Sequence, residues 1–402
     1  MIHYVCKYTP LELFKGFGEE CAVLEEMPEN FEQSDQIAHA NLCGFGKSVI
    51  QAVLEGKADQ LVLVNCCDSM RRVYDIVKNT GKCNFLYMLD LPHEDNECEK
   101  VKYAQAIMRL KKAYEKFSGK TFDKEAFLNS FTENETEMKP YIGLMGVRVT
   151  GILEKMIRDN IQMDVDNLTC TGGRQLAVVP EQMRQMDEEK MFLAYADALL
   201  CQIPCFRMNN NTRRNQLYLD PNLKGIIYHT IKFCDYYGFE YASIKKNIKV
   251  PLLKIETDFT SQSAGQLLTR IQAVAETIEG SEDMDPGKGI SEEARKKMES
   301  GIYYVAGIDS GSTSTGVVIL DQDGKIKSTM IIPTGGGAMM SAEKSLDLAV
   351  EKAGIKEEEI VRIVTTGYGR AYIESGDDSI TEITCHAKGA HYLNPNVRTV
   401  ID

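Results

Sequence analysis

The stretch QLVLVNCCDSMRRVYD, residues 60–75, decides the fold of the first half of the chain. Its apolar run QLVLV is typical of a strand that is buried on both faces, as in a parallel sheet. Asp68 and Ser69 suit the start of a helix, because their side chains can cap its first turn. Cys66 and Cys67 therefore stand at the carboxyl end of a strand, which is where open parallel sheets bind their ligands.

The same alternation of strand and helix extends on both sides of this stretch. QIAHANLC (36–43) is predicted to be a strand, followed by a helix in KSVIQAVLEG that ends at Gly56. NFLYMLDLP (84–92) is predicted as the next strand, and a charged helical segment near 99–139 leads to the strand IGLMGVRV (142–149). Such alternation indicates parallel sheets that are covered by helices on both faces.

The pattern then repeats, which predicts a second domain similar to the first. Its apolar runs and closing helix are MDVDNLTC (163–170), QIPCFRMN (202–209), GIIYHTIKFCDYYG (225–238), VPLLKIETD (250–258) and SAGQLLTRIQAVAETIEG (263–280). We therefore predict an α/β protein with two similar parallel-sheet domains, residues 1–140 and 141–280, which face a cleft.

A polar segment separates this pair of domains from the rest of the chain. Residues 281–300 carry Gly, Pro, Ser and dense charge with little apolar content, so they are predicted to form an exposed linker. A new apolar strand, IYYVAGID, begins directly afterwards, and residues 301–402 are predicted to form a further domain.

The charge balance restricts the class of protein. Forty-six basic and 59 acidic residues leave a net charge of −13, which argues against nucleic acid or an anionic membrane as the main partner. No apolar run approaches the roughly 20 residues that span a bilayer, and the N-terminus lacks the apolar core of a signal peptide. We therefore predict a cytoplasmic protein.

The chain has 12 cysteines, and in a reducing cytosol clustered thiols are more often metal ligands or catalysts than disulfides. Cys43 follows a predicted strand and Cys67 ends the next, 24 residues on; Cys205 and Cys234 repeat this arrangement with a spacing of 29 residues. If the two domains face each other, four thiols would reach one cleft. The alternative is that buried strand ends accept cysteine as a small hydrophobic residue.

Two further thiols stand close to these positions. Cys66 precedes Cys67 in a strand, so the two side chains point to opposite faces and only one obviously faces the cleft. Cys170 precedes the turn Gly172-Gly173, where the backbone could wrap closely around an inorganic group, although a simple loop is the alternative. The sequence lacks the CxxC pairs typical of zinc sites, and scattered thiolates suit an iron–sulfur cluster.

Four sequence motifs resemble those of a known family. They are NLCGFGKS (41–48), VNCCDSMRRVYD (64–75), IKFCDYYGFE (231–240) and PLLKIETDF followed by GQLLTRIQA (251–273). Together they resemble the 2-hydroxyacyl-CoA dehydratase component family, which includes the double-cubane cluster proteins, over essentially residues 1–280. The resemblance implies an iron–sulfur cluster, [4Fe–4S] or [8Fe–9S], between two α/β domains.

The resemblance also implies which thiols bind that cluster. Three match the ligands of the dehydratase components: Cys43, Cys67 and Cys234. Three more supply the extra thiols of the double-cubane branch: Cys66, Cys170 and Cys205. Which member of the Cys66-Cys67 doublet binds iron stays open. The other thiols of this region have weaker motif support or none, and they are not assigned to the cluster: Cys6, Cys21, Cys83, Cys98 and Cys201.

The segment after the linker has the pattern of a phosphate-binding hairpin. Residues 304–334 indicate a strand, a turn rich in Gly, Ser and Thr, a second strand, a DG-type turn and a third strand. The turn from Asp309 to Thr313 offers consecutive N–H groups to a phosphate, and Asp309 could hold Mg²⁺ through water, although a plain hairpin is the alternative. A Gly-x-Gly turn follows at Gly367 and Gly369. Cys385 stands near the start of a predicted helix, which favours its thiolate.

GIDSGSTST (307–315), TTGYGR (365–370) and TEITCHAKGA (381–390) are similar to the activator ATPases that serve these dehydratases, which belong to the actin-like, RNase H-like group. The resemblance implies one lobe of a site for ATP and Mg²⁺, and a [4Fe–4S] cluster that Cys385 ligates between two subunits. It implies that the nucleotide contacts Asp309, Ser310, Gly311, Ser312, Thr313, Gly367 and Gly369.

The activator-like segment departs from that family at its end. The second cluster cysteine and the second nucleotide lobe have no counterpart in this sequence. We therefore expect either a fragment of a longer fusion or a vestigial tail, and no ATP hydrolysis by these 402 residues alone.

The leading functional hypothesis is an iron–sulfur reductase that reduces a small substrate at a cluster between its two domains. Low-potential electrons would come from an activator ATPase, either the chain's own C-terminal extension or a separate protein, supplied by ferredoxin or flavodoxin. The first alternative is a 2-hydroxyacyl-CoA dehydratase subunit, which dehydrates a CoA thioester by a radical route. The extra thiols argue against this alternative. The second is a non-catalytic scaffold that docks an activator. The family suggests a homodimer.

Acid–base catalysis has little support in the sequence. Only six histidines are present, and His229 and His39 are each interpreted as either a core residue or a proton donor near the cluster. The patterns GxSxG, HExxH and GxxxxGK[ST] are absent, so a serine hydrolase, a zincin and a P-loop protein lose their usual sequence support.

Overall fold

The computed structural model describes most of the chain in two compact units, Met1–Leu267 and Leu268–Asp402. The residues it describes are 1–131, 139–172, 174–178, 180–209, 212–246, 248–260, 264–282, 292–299, 301–335 and 337–400. Among them, no helix combines the length and the apolar content needed to cross a membrane.

The first unit begins with a four-stranded parallel sheet in the order β2-β1-β3-β4. Its strands are β1 (Ile2–Tyr4), β2 (Cys21–Val23), β3 (Gln60–Val64) and β4 (Phe85–Leu89). The accompanying helices are α1 (Leu11–Lys15), α2 (Glu32–Asp35), α3 (Gly44–Leu54), α4 (Asp68–Thr80), α5 (Glu97–Ser118) and α6 (Lys124–Leu128). Helix α4 buries Met70, Val73 and Val77, spaced three and four residues apart, and ends at Gly81 with a φ of 65°.

A second parallel sheet follows in the order β6-β5-β7-β8. Its strands are β5 (Tyr141–Gly146), β6 (Asp164–Asn167), β7 (Leu223–Ile231) and β8 (Leu252–Thr257). The helices of this part are α7 (Gly151–Asp159), α8 (Pro180–Arg184), α9 (Glu188–Leu200), α10 (Thr212–Leu217) and α11 (Asp235–Ile244). Helix α12 (Ala264–Glu282) follows, and most of it belongs to the second unit. In both sheets the second strand in sequence lies outside the first, so the predicted pair of similar parallel-sheet domains is confirmed.

The two sheets share one hydrophobic core. Buried side chains from both, including Val62 of β3 and Tyr228 of β7, belong to a single contiguous cluster. Aromatic side chains of α6 and α9 join the domains, and the rings of Phe127 and Tyr195 lie 5.2 Å apart at 81°. The two domains are therefore packed as one body within the first unit.

Two predicted strands are wrong. Residues 36–43 form turns after α2, and most residues of this segment are exposed, so it buries no face against a sheet. Residues 202–209 are also irregular, and Pro204 within them cannot donate a backbone hydrogen bond to a ladder. The short strands β1 and β2 were not predicted.

The second unit contains a five-stranded sheet in the order β11-β10-β9-β12-β13. Its strands are β9 (Tyr304–Ser310), β10 (Ser314–Asp321), β11 (Ile326–Pro333), β12 (Ile360–Thr366) and β13 (Asp378–Ser379). The helices are α13 (Glu292–Glu299), α14 (Ala338–Ala353) and α15 (Glu382–Leu393). Strands β9, β10 and β11 form the predicted antiparallel meander, and β12 lies parallel to β9. Of the predicted linker 281–300, residues 283–291 and 300 lie outside the described residues.

Candidate functional site

A buried cavity of about 100 Å³ lies where the two domains of the first unit meet. Seven thiols line it, and we call it the thiol cavity: Cys6, Cys43, Cys66, Cys67, Cys170, Cys205 and Cys234. Six of the seven are the residues that the sequence assigned to a cluster. The structure therefore brings together every thiol predicted for this half of the chain, and it adds Cys6.

Three of these thiols occupy the N-cap position of a helix. Cys43 caps α3 and its Sγ accepts a hydrogen bond from the Gly46 N–H at 3.4 Å, Cys67 precedes α4, and Cys234 precedes α11. The N-terminus of a helix carries partial positive charge and unpaired N–H groups, which favour negative charge on a nearby sulfur. Three helix N-termini thus meet at the thiol cavity.

The doublet behaves as an interacting pair. The Cys66 thiol donates to the Cys67 sulfur, which lowers the pKa of Cys67 to about 7 and raises the pKa of Cys66. Backbone N–H groups of the α4 N-terminus, from Ser69 and Met70, also favour the Cys67 thiolate. Cys67 is therefore the member of the pair that more readily carries the charge of a metal ligand.

Cys6, Cys170 and Cys205 stand on loops. Cys6 follows β1, Cys170 follows β6, and Cys205 lies in the irregular segment after α9. The two domains meet here, since the Lys7 N–H donates to the Cys170 carbonyl at 3.2 Å. Burial raises the pKa of Cys6 to about 12 and also raises that of Cys170. Binding of a metal would have to displace the protons of these thiols.

Three buried cations stand beside the thiols. Arg148 and Arg207 line the thiol cavity, and Lys7 has Cys205, Cys6 and Cys170 as electrostatic neighbours. Lys7 donates to the Ile203 carbonyl at 2.6 Å, and Arg207 donates to the carbonyls of residues 91 and 92 at 2.7 Å each. Within the described part of the chain, the guanidinium nitrogens of Arg148 have no hydrogen-bond partner. A role for these three cations at the cavity was not predicted from the sequence, because their burial depends on the fold.

The remaining thiols of the first unit lie away from the thiol cavity. Cys83 contacts the carbonyl oxygens of Asp59 and Phe85 at 3.3 and 3.2 Å, and Cys201 contacts Asp197 Oδ1 at 3.3 Å. Cys21 lies on β2 and Cys98 is exposed on α5. Cys6 lies two residues after β1, at the carboxyl end of a parallel strand like Cys67, but this three-residue strand was too short to be predicted from the sequence.

The two histidines singled out by sequence do not line the thiol cavity. His229 is buried, with Nδ1 2.7 Å from the Arg148 carbonyl and Nε2 2.9 Å from Thr257 Oγ1. Burial lowers its pKa to about 4. His39 is exposed, and its Nδ1 accepts the Asn41 N–H at 3.1 Å. His229 is therefore a hydrogen-bonded core residue.

In the second unit, the Asp309–Thr313 turn connects β9 to β10. The Gly369 N–H donates to the Ser310 carbonyl at 2.8 Å, which joins the turn after β12 to the end of β9. A Cβ at Gly367 would lie 2.4 Å from Asp309 Oδ1, and one at Gly369 would lie 2.4 Å from Ser310 Oγ. Because both residues are glycines, the backbone after β12 can approach Asp309 and Ser310 without displacing their side chains.

The residues predicted to contact nucleotide thus meet at the carboxyl ends of two adjacent parallel strands, β9 and β12. Among the residues that the structure describes, the buried Ser310 hydroxyl has no hydrogen-bond partner there. Cys385 of α15 is half-buried with Thr366, Asp309 and Arg370 as electrostatic neighbours, and burial raises its pKa. The structure places Cys385 beside this edge.

The residues of the thiol cavity fit an iron–sulfur group. Soft thiolates are the donors that such clusters use, and the cavity wall also carries the Arg148 guanidinium, which has no hydrogen-bond partner among the described residues. No three histidine, cysteine or carboxylate side chains among the described residues are grouped as ligands of one metal ion. The seven sulfurs instead line one shared cavity.

Comparison with known proteins gives two family matches. Residues 6–141 and 132–278 match the family described as 2-hydroxyglutaryl-CoA dehydratase, D-component. Residues 306–402 match the BadF/BadG/BcrA/BcrD ATPase family. These matches confirm the predicted order of a dehydratase component followed by an activator ATPase.

Individual relatives match parts of the chain. It is 42% identical over 99 residues to the activator of lactoyl-CoA dehydratase of Anaerotignum propionicum, a match that covers 25% of this chain and 38% of that protein. It is 34% identical over 166 residues to protein MJ0800 of Methanocaldococcus jannaschii, covering 40% and 36%. The crystal structure of component A of Acidaminococcus fermentans (R)-2-hydroxyglutaryl-CoA dehydratase matches at 37% identity and a TM-score of 0.24, covering 25% of this chain and 39% of that chain. The chain spans less than half of the length of each of these proteins.

Proposed function

The chain belongs to the 2-hydroxyglutaryl-CoA dehydratase D-component family, and from this premise we propose that its thiol cavity holds the iron–sulfur centre of a 2-hydroxyacyl-CoA dehydratase-type component. One observation carries the proposal: seven thiols from two α/β domains line one buried cavity. When bound, the centre would accept and donate single electrons.

The protein's own residues would hold the centre and set its surroundings. Cys43, Cys67 and Cys234, at three helix N-termini, are proposed as the first ligands, because the helix ends favour their thiolates. Cys6, Cys66, Cys170 and Cys205 would supply further sulfur. Met70 and Phe45 contribute apolar surface to the thiol cavity, which excludes water and thereby tunes the reduction potential.

The test is anaerobic reconstitution of the full chain with iron and sulfide, followed by analysis of both elements per chain. About four irons would indicate a single cubane and about eight a double cubane. The triple variant C43S/C67S/C234S should lose iron, whereas C83S should retain it, because Cys83 lies outside the thiol cavity. Absence of iron and sulfide from the reconstituted wild-type chain would refute the proposal.

A second candidate function is supported by the number of thiols. Cubane clusters usually take four cysteines, so a cavity with seven has three more than one cubane needs. This surplus favours a larger cluster and an iron–sulfur reductase of small molecules. Turnover of 2-hydroxyacyl-CoA thioesters in the presence of an activator would favour the dehydratase. Reduction of a small substrate with no dehydration of any thioester would favour the reductase.

The second unit would supply part of the ATP-driven activator, with the Asp309–Thr313 turn contacting the phosphates of ATP and Mg²⁺. Its match to the ATPase family and the backbone geometry at Gly367 and Gly369 support this assignment. Cys385 is proposed to ligate a [4Fe–4S] cluster between two copies of the chain, with ferredoxin or flavodoxin as the electron donor in the cytoplasm. Calorimetric titration with Mg²⁺–ADP tests the nucleotide site directly.

A further inference from the structure

Arg148 is fully buried in the wall of the thiol cavity, and none of its guanidinium nitrogens has a hydrogen-bond partner among the residues that the structure describes. The guanidinium carbon lies 4.0 Å from the centroid of the Phe45 ring, so an aromatic face covers one side. Attraction to a ring face contributes less than the hydrogen bonds that a buried guanidinium lacks. The side chain therefore carries a charge to which no described residue offers a hydrogen-bond acceptor.

The backbone holds Arg148 in this position from both sides. Gly146 has a φ of 92°, and a Cβ there would lie 2.2 Å from the His229 carbonyl oxygen, so the chain turns tightly as it leaves β5. The Arg148 N–H donates to Cys170 Sγ at 3.2 Å, and the Arg148 carbonyl lies 2.7 Å from His229 Nδ1. Thr150 then caps α7. The side chain is thus directed into the protein by fixed neighbours and not by a flexible loop.

A buried cation without a partner costs several kcal/mol, so its presence needs a compensating anion. Glu25 is an electrostatic neighbour, but it accepts no hydrogen bond from the guanidinium. The other sulfur and oxygen neighbours of Arg148 are Cys170, Cys6 and Tyr4, which are neutral in their protonated forms. Beyond Glu25, further negative charge beside Arg148 would come from deprotonated sulfur in the thiol cavity.

We propose that Arg148 is a charge-balancing residue of the iron–sulfur centre, whose guanidinium offsets the negative charge of the thiolate-bound group and holds its reduction potential above the value that the thiolates alone would set. The inference rests on the proposed function, since it requires the centre. A nearby positive charge stabilises the more negative, reduced state of a cluster, so its removal makes the potential more negative. In the apoprotein the sign is opposite, because removal of an unpartnered cation relieves a destabilising charge.

The experiment compares three variants of the full chain with the wild type. R148M removes the charge at similar length, R148K keeps a charge, and R158M removes an exposed arginine of α7 that pairs with Glu154. Each is reconstituted anaerobically, its iron and sulfide are counted, and its midpoint potential is measured by redox titration with electron paramagnetic resonance detection. Urea unfolding of each apoprotein gives a second readout that does not depend on the cluster.

R148M is expected to have a more negative midpoint potential than the wild type, with R148K closer to the wild type and R158M unchanged. The R148M apoprotein is expected to be at least as stable as the wild-type apoprotein. Loss of iron from R148M but not from R148K also supports a role of the charge. Wild-type iron content with an unchanged potential in R148M would overturn the inference, as would loss of iron from both variants. If the wild-type chain itself takes up no iron, the proposed function fails first.

Discussion

Gly44 lies so close to the backbone of Asp258 that a Cβ at position 44 would stand 1.9 Å from the Asp258 carbonyl oxygen. Gly44 is the first residue of α3, directly after Cys43, and Asp258 follows β8 of the other domain. The residues that follow Gly44 and Asp258 also meet, since the rings of Phe45 and Phe259 lie 5.4 Å apart at 68°. The contact between the domains is thus made by backbone at the wall of the thiol cavity.

G44A should therefore push the two domains apart. Overpacking of this kind costs about 1–3 kcal/mol, and here the obstructing atom is a carbonyl oxygen that cannot rotate away. We expect the free energy of unfolding of the apoprotein to fall by that amount in urea titrations, with a lower iron content after reconstitution. The control is G238A, because a Cβ at Gly238 of α11 meets no atom within 4 Å. Equal stability and equal iron uptake in the two variants would contradict the contact.

The buried ion pair between Arg214 and Glu240 is predicted to hold α11 in place. Arg214 Nη2 lies 2.7 Å from Glu240 Oε2, and Tyr228 also donates to this carboxylate. Both charged side chains are about 2–3% exposed. R214M leaves the Glu240 charge without its cation, which typically costs about 3–5 kcal/mol. Urea unfolding should show this loss, and it should show most of it restored in the double variant R214M/E240Q.

The exposed pair of Arg158 and Glu154 on α7 serves as the comparison for that prediction. R158M is expected to change the free energy of unfolding by only about 0–1 kcal/mol, because exposed ion pairs are screened by water. Similar effects of R158M and R214M would show that burial does not govern these pairs. A double variant R214M/E240Q as unstable as R214M would show that the loss comes from packing rather than from the unpaired charge.

Sequence patterns predicted the elements that have long apolar runs. Strand β3 and its Cys67 were identifiable because four consecutive residues of QLVLV are buried. Strand β1 has three residues, too few for a periodic pattern, so the position of Cys6 was missed. Cys205 was assigned to the cleft on the expectation of a strand at 202–209, whereas the structure has an irregular loop there that reaches the same cavity.

The sequence could not predict that the Arg148 guanidinium is buried without a hydrogen-bond partner among the described residues. Arg148 was placed near the end of the predicted strand 142–149, and arginine is rarely buried without a partner. Its burial follows from the turn at Gly146 and from the packing of the second domain against Phe45, which are tertiary contacts between distant residues. Charge and thiol positions can be inferred from motifs, but which charges lack partners depends on the assembled fold.

His229 should make the stability of the apoprotein sensitive to mild acid. Burial lowers its pKa in the folded chain from 6.5 to about 4, because the charged ring would lose its solvation in the core; this effect outweighs the hydrogen bond to the Arg148 carbonyl, which favours the charged ring. The unfolded chain therefore binds a proton first, so the contribution of neutral His229 is fully present above pH 6.5 and is lost as the pH falls to about 4. The loss amounts to about 3 kcal/mol over that window.

Urea unfolding at several pH values between 7 and 4 measures this effect as the difference between the wild type and H229N. The asparagine removes the titrating group and retains a donor toward the Arg148 carbonyl. The wild type should lose about 3 kcal/mol more than H229N over the window, since carboxylates common to both cancel. Parallel pH profiles for the two proteins would show that His229 is not the titrating group.

Gly367 should be required for nucleotide binding by the second unit. Its φ of 86° is strained for any other residue, and a Cβ would lie 2.4 Å from Asp309 Oδ1. G367A is expected to displace the Asp309 carboxylate and to weaken binding of Mg²⁺–ADP by about tenfold or more, equivalent to about 1.4 kcal/mol. Calorimetric titration of the full chain measures the affinity. The control is G324A, which introduces the same left-handed strain at a φ of 75° in a turn where a Cβ meets no atom within 4 Å. If G324A weakens binding as much as G367A, backbone strain alone explains the effect and the contact with Asp309 has no role.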